Sequence, residues 1–363
     1  MKRSGLFIVA LLAAISAAMP TILQAAKPGH MGCCITVAHR GCHLSRADGT
    51  PLIPENCPAA VAMASRYGYK AIECDVRYTR DSVMVIMHDM TINRTMRRAE
   101  DYSPVTAPVR LDKTTFAELR SRYVLASSDP ALRTPIPTLE EMLLECKRCG
   151  VIPMLHTAIT EAYALAASIL GDDWIAFSRN HDVFKARDYS SDCLILLDPQ
   201  GATAAQAIEM LRGVSGRRGI STMKYGMLDA GYIRTLRDAG LEVQASIFKA
   251  PHDQRALHDG VTLLLSDWWW AEAKGHRSTR RGVVKSGGSW STSLGHAEFG
   301  AATLRLRFCG SVEVDFCGRH YSLHRDTPGE EIIGARLYDG GAAVSVQAAE
   351  GTRVRIRTDY YEL

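Results

Sequence analysis

The chain has 363 residues, 47% hydrophobic and 23% charged, which excludes wholesale disorder and leaves ample material for a core. At roughly 100–200 residues per domain, that length allows two domains or one large barrel with an appendage. A formal net charge of +4 without a long basic block argues against nucleic acid as a partner.

Lys2 and Arg3 precede an apolar run from Leu6 to Met19, and the small residues Ala25 and Ala26 follow it. This is the three-part pattern of a secretory signal peptide, so residues 1–26 are set apart from the fold. The chain is expected to be exported, to the periplasm, the cell surface or the medium. The rival reading, an uncleaved anchor, suffers because the run is shorter than the ~20 apolar residues a span needs. No later segment is long and apolar enough to cross, so no transmembrane segment is expected after signal cleavage.

Ten cysteines in an exported chain invite disulfides, yet they are spread over a large domain and their connectivity cannot be deduced. Cys146 and Cys149 end a helical pattern and read as a simple bridge or two free thiols. Cys309 and Cys317 flank an expected hairpin and could pair across it.

Short β-branched runs then alternate with helical patterns, which argues for βα units around a parallel sheet. Strands are expected at residues 35–38, 71–76, 151–156, 174–178, 193–197, 219–224, 242–248 and 261–266. Helical stretches at 58–67, 139–148, 202–211 and 228–239 lie between them, with Pro58 placed as a first helical residue. Eight strands between residues 33 and 273 suit a closed (β/α)8 TIM barrel. One run, 83–87, follows the second strand too closely for a parallel crossover and must return as an antiparallel hairpin beside the barrel mouth.

From residue 280 to 363 the pattern is strict alternation punctuated by glycine-rich turns, which predicts a small C-terminal β-sandwich. The Lys- and Arg-bearing stretch 274–282 reads as the linker. The sandwich has a modest aromatic set (Trp290, Phe299, Tyr321, Tyr338), which favours a structural role over glycan binding.

In such a barrel the chemistry sits at the C-terminal ends of strands. The first strand runs into His39-Arg40-Gly41, the second carries Glu73 and Asp75, and the hairpin strand ends in His88-Asp89. Residues i and i+2 of a strand share a face, so Glu73 and Asp75 can both turn to the axis and share one cation; ordinary surface ion pairs are the alternative. Two carboxylates so close need a bound metal or an arginine beside them.

The combination resembles the glycerophosphodiester phosphodiesterase family. The motifs that carry the resemblance are Val37-Ala38-His39-Arg40-Gly41, Pro54-Glu55-Asn56-Cys57, Ile72-Glu73-Cys74-Asp75-Val76, His88-Asp89-Met90-Thr91-Ile92-Asn93-Arg94-Thr95 and Ile136-Pro137-Thr138-Leu139-Glu140, with a fainter echo at Leu265-Ser266-Asp267. The resemblance implies a barrel hydrolase that releases glycerol 3-phosphate and an alcohol from a small-molecule phosphodiester. It implies His39 and His88 as the acid/base pair, Arg40 as a phosphate ligand, and Glu55, Glu73 and Asp75 as metal ligands or their close supports. Oxygen ligands favour Ca2+ or Mg2+.

The third strand departs from the family's Glu-x-Lys pair and reads Leu155-His156-Thr157-Ala158. Three explanations stand side by side. His156 ligates the metal and moves the preference towards Mn2+ or Zn2+; or Lys224, at the end of the sixth strand, supplies the missing charge to the phosphate; or catalysis is lost and the barrel only binds a phosphorylated ligand. A phosphodiesterase for a sugar phosphate or phospholipid head group is a further alternative. Trp268-Trp269-Trp270 after the last strand could cement the sandwich to the barrel, or make a peripheral membrane or glycan contact. Oligomeric state is left open by the sequence.

Overall fold

The computed structural model describes residues 35–45, 50–222, 229–247, 260–267 and 276–362. The expected signal segment 1–26, Lys224, the three tryptophans and the first two residues of the expected linker lie outside the described residues.

Strand β1 (Ile35–Ala38) is followed by the short antiparallel pair β2 (Leu44–Ser45) and β3 (Pro51–Ile53), then by α1 (Pro58–Arg66). Pro58 opens that helix, where a missing N–H leaves no bond unmade. Strand β4 (Ala71–Tyr78) turns back into β5 (Met84–Ile86), pairing Val76 with Ile86 and Tyr78 with Met84 in antiparallel register. The hairpin expected at 83–87 is therefore present. An excursion of β6 (Met96–Arg98), α2 (Phe116–Arg122) and β7 (Tyr123–Leu125) leads to α3 (Leu139–Cys149).

From there the alternation is regular: β8 (Ile152–His156), α4 (Thr160–Leu170), β9 (Ile175–Ser178), β10 (Leu194–Leu197), α5 (Ala204–Met210), β11 (Arg218–Thr222), α6 (Ala230–Asp238), β12 (Glu242–Ile247) and β13 (Leu263–Ser266). A 3-10 segment, His181–Asp188, takes the helix's place between β9 and β10. Strands β1, β4 and β8 to β13 hydrogen-bond in parallel in that order, and β13 pairs with β1, so eight strands close into a (β/α)8 barrel. Val37, Ile152, Met154, Phe177, Leu196 and Leu265 are among the side chains that fill its interior. A second apolar cluster, including Trp174 and Tyr163, lies between the strands and the helices. Opposite the apolar filling, Ser221, Gln244 and Ser246 form a buried hydrogen-bonded polar row on β11 and β12. Among the described residues no helix is long and apolar enough to cross a membrane.

The C-terminal region is antiparallel: β14 (His276–Val284), β15 (Ser289–Phe316), β16 (Arg319–Ala348) and β17 (Val354–Glu362). The registers divide it into two layers of four. One runs β14, β17, the middle of β15, the middle of β16; the other runs the start of β16, the end of β15, the end of β16, the start of β15. Two long strands thus cross from layer to layer. The register of β15 shifts at Gly310, whose φ of +107° suits glycine and where a Cβ would stand 2.1 Å from Thr352 Oγ1. Leu304, Leu306, Phe308, Val312, Val314 and Phe316 point between the layers at every second residue.

Two sequence expectations need correction. The stretch 274–282, read as a linker, is strand from His276 onward, with Arg280 and Arg281 exposed, and a polar run reads alike in both settings. Cys309 and Cys317 do not pair: both are free thiols, at the two ends of one extended stretch, roughly 26 Å apart at about 3.3 Å per residue. Every described cysteine is a free thiol, Cys146 and Cys149 included.

Candidate active site

Two strands bring the histidines together. β1 pairs with Ala71 and Ile72 of β4, while β5 comes the opposite way from Tyr78 to Val76, and the Met87 N–H donates to the Asp75 carbonyl at 2.9 Å. His39 and His88, the residues that follow, are carried towards the level of Glu73 and Asp75. Those two carboxylates stand on one face of β4, 2% and 3% exposed, as their i, i+2 spacing dictates.

Each histidine is held by a carboxylate at Nδ1. His39 meets Asp267 Oδ1 at 2.9 Å and His88 meets Asp89 Oδ1 at 2.6 Å. Burial works against protonation of His39, but the hydrogen bond and charge of Asp267, with the charge of Glu73, raise its pKa above the ordinary value. Asp267 also meets His43 Nε2 at 3.2 Å, and the two imidazoles outweigh its burial and hold its carboxyl far below the usual range. Asp89 is pulled down to about 2, chiefly by Arg94.

Arg40 sits in a left-handed conformation, φ +54°, unusual for a residue with a side chain. Its surroundings hold it there: its N–H donates to Glu73 Oε2 at 3.0 Å, its guanidinium to Glu55 Oε1 at 3.1 Å, and its carbonyl accepts from the Asn56 N–H at 2.8 Å. The next residue must be small, because a Cβ on Gly41 would lie 2.7 Å from that of Ala60 on α1. Asn56 in turn donates to Asp75 Oδ2 at 3.0 Å. Arg94 grips Glu55 through two bonds of 2.8 and 2.7 Å and donates to Asp89 at 2.7 Å, linking the Arg40 side of the site to the His88 side.

His156 ends β8 opposite Asp75, with Nδ1 at 3.1 Å from Asp75 Oδ1 and 3.3 Å from Glu73 Oε1. Its ring stacks on Phe177 at 4.6 Å. Donor atoms of Glu73, Asp75 and His156 all lie within 4.8 Å of one another. Two buried carboxylates and an imidazole converging on one point are a donor set a divalent cation fits. Glu55 is engaged by two guanidinium groups, those of Arg40 and Arg94. Arg40 Nε is buried with no hydrogen-bond partner among the described residues, its nearest acid being Asp75 at 3.9 Å, which suits an oxyanion ligand beside it.

Sequence reasoning missed three contributors. Asp267 was noted only as the end of a strand, since nothing local signals a partner on β1. Arg94 stood inside a motif without a role. Arg179 continues the inward series Ile175, Phe177 past the end of β9, and its Nε donates to Asp198 at 3.0 Å. The offset of β8 against β9, carried on by two residues, pairs it with Ala158. Arg179 thus follows the strand next to the one that runs into Ala158, with its guanidinium bonded to Asp198 just after β10.

The chain therefore forms a closed (β/α)8 barrel that gathers two histidines, buried carboxylates and arginines at the C-terminal mouth of its strands. Residues 39–164 match the sequence model of the Glycerophosphoryl diester phosphodiesterase family. Glycerophosphodiester phosphodiesterase 1 of Mus musculus is 34% identical over 117 residues, covering 31% of this chain and 30% of that protein. Its Homo sapiens counterpart is 33% identical over 113 residues, or 30% and 29%. The chain thus spans about 30% of the length of these curated relatives. Among solved structures, an Oleispira antarctica phosphodiesterase in complex with the product sn-glycerol-3-phosphate aligns with a TM-score of 0.51 at 22% identity, covering 65% of this chain and 93% of that one. A Glycerophosphoryl diester phosphodiesterase from Parabacteroides distasonis aligns at 0.51 and 19%, covering 68% and 86%. Residues 39–164 of this chain are thus similar in sequence to the glycerophosphodiester phosphodiesterase family, and its barrel shares the fold of those solved structures.

Proposed function

We propose that the protein hydrolyses a glycerophosphodiester to glycerol 3-phosphate and an alcohol. The observation that carries this reading is the pair of imidazoles, His39 and His88, each fixed at Nδ1 by its own carboxylate beside Arg40, Glu73 and Asp75. With Nδ1 engaged, proton exchange falls to Nε2 of each ring. One ring takes the proton from the attacking hydroxyl, and the other gives one to the oxygen of the departing alcohol. Arg40 offers its planar guanidinium to the phosphoryl oxygens, and Arg179 adds positive charge on the Ala158 side. A divalent cation held by Glu73, Asp75 and His156 would supply further positive charge against those oxygens. The imidazole in that set moves the preferred ion from Ca2+ or Mg2+ towards Mn2+ or Zn2+.

The test is release of glycerol 3-phosphate from glycerophosphocholine and glycerophosphoethanolamine by metal-stripped protein, with Ca2+, Mg2+, Mn2+ or Zn2+ added back singly. Metal-dependent turnover is expected. His39→Ala and His88→Ala should each abolish it while leaving thermal unfolding nearly unchanged, and Arg179→Gln should raise KM more than it lowers kcat. Turnover surviving in either histidine variant would sink the acid/base assignment. Binding of glycerol 3-phosphate without turnover under any ion would favour the ligand-binding alternative raised by Ala158.

A further inference from the structure

The outward face of one sandwich layer carries a grid of arginines. Arg281 of β14 pairs with Arg357 of β17, which pairs on its other edge with Arg305 of β15. One step along, Val283 pairs with Arg355 and Arg355 with Arg307. Cross-strand partners share a face, about 4.8 Å apart, and neighbours along a strand on that face stand about 6.7 Å apart. Five guanidinium groups therefore crowd one end of the layer, with Arg281, Arg307 and Arg355 exposed. Among the described residues carboxylates also stand on this face: Asp359 binds Arg357 at 3.0 Å, and Glu330, paired with Arg307, lies 3.6 Å from Arg305. Like charges set directly opposite one another in a sheet are destabilising. Placing three such pairings on one face opposes folding and rewards an anionic partner.

We propose that this face docks on an anionic lipid surface. Two features favour a membrane over a soluble polyanion. The charges are spread in two dimensions across three strands, which matches a plane of phosphates better than a single thread. Val283, 51% exposed, sits in the same face against Arg355, and an apolar side chain among the cations gains from an interfacial lipid layer but not from a hydrated polyanion. The attraction is of the screened kind, so it weakens with salt. Each arginine near an anionic surface contributes roughly fivefold in affinity. The inference is independent of the barrel's chemistry.

The experiment is vesicle co-sedimentation of the full chain with pure phosphatidylcholine and with vesicles containing about 30% phosphatidylglycerol, at low and high salt, beside a heparin column. Binding to the anionic vesicles alone, lost at high salt, is expected. R281Q/R307Q/R355Q should bind roughly a hundredfold more weakly, with glycerophosphocholine turnover unchanged and thermal unfolding no lower than that of the wild type, since two like-charge pairings are removed. The single variant R355Q, expected at about a fifth of the wild-type affinity, serves if the triple variant does not fold. Absence of vesicle binding at low salt would overturn the proposal, as would equal binding by the variants. Tight retention on heparin by a chain that ignores vesicles would overturn it in favour of a soluble polyanion.

Discussion

Asp267 is the residue on which the site's proton chemistry turns. It holds His39 at Nδ1 and raises that imidazole's pKa above its ordinary value against the contrary pull of burial. Removing the carboxylate's charge weakens the hydrogen bond that contributes most to the protonated ring and removes the charge of Asp267, while Glu73 stays in place, so the His39 pKa is expected to fall. Asp267→Asn is therefore expected to move the His39 limb of the kcat/KM profile to lower pH, whether the ring acts as acid or base. A profile unmoved by Asp267→Asn would assign that limb to another group. At this scale the sequence was legible where spacing itself is the signal. Glu73 and Asp75 share a face by strand period, and His39 and His88 stand at strand ends. It was silent on Asp267, Arg94 and Arg179, because a partner brought by tertiary closure leaves no trace in local pattern.

At the scale of elements, several motif residues prove to be scaffold. Thr138 caps α3 with its side chain accepting from the Glu141 N–H at 3.1 Å, and Glu141 accepts from the Thr138 N–H at 2.8 Å. The preceding Pro137 carbonyl accepts from the Ile86 N–H at 3.0 Å, so the capped helix start also steadies the strand that delivers His88. Asn93 ties down the excursion by donating to the carbonyls of Val105 and Ala107 and accepting from the Val109 N–H. Thr138→Ala is expected to lower stability by about 1 kcal/mol in denaturant unfolding, with little change in metal affinity. A loss within error would place the helix's stability in its packing. The hairpin was legible because the five residues between β4 and β5 cannot make a parallel crossover. The stretch 274–282 was misread because outward-facing cations on an edge strand and a solvated linker share a composition.

Among the described residues the hydrophobic clusters fall in two regions: two clusters belong to the barrel, inside it and around it, and one lies between the sandwich layers. Phe316 is fully buried in this last cluster. Phe316→Ala should cost about 3–5 kcal/mol and lower one of two calorimetric transitions while the other, and the hydrolytic activity, stay in place. A single transition that falls as a unit would mean the two cores unfold together. Strict alternation made the sandwich legible, since period two survives any turn geometry. The crossing of β15 and β16 between layers was not, because a strand that changes layer keeps its alternation, and the register shifts of β15 at Gly295 and Gly310 are marked in the sequence by nothing more than a glycine.

The bond between His39 and Asp267 spans 228 positions of sequence. One partner follows the first barrel strand and the other follows the last, so a chain emerging from synthesis carries its histidine and its carboxylates for most of its length without a working site. If the proposed hydrolysis is carried by this pair, catalytic competence would arrive as an all-or-none event with ring closure, and its appearance during refolding would clock the β1–β13 seam.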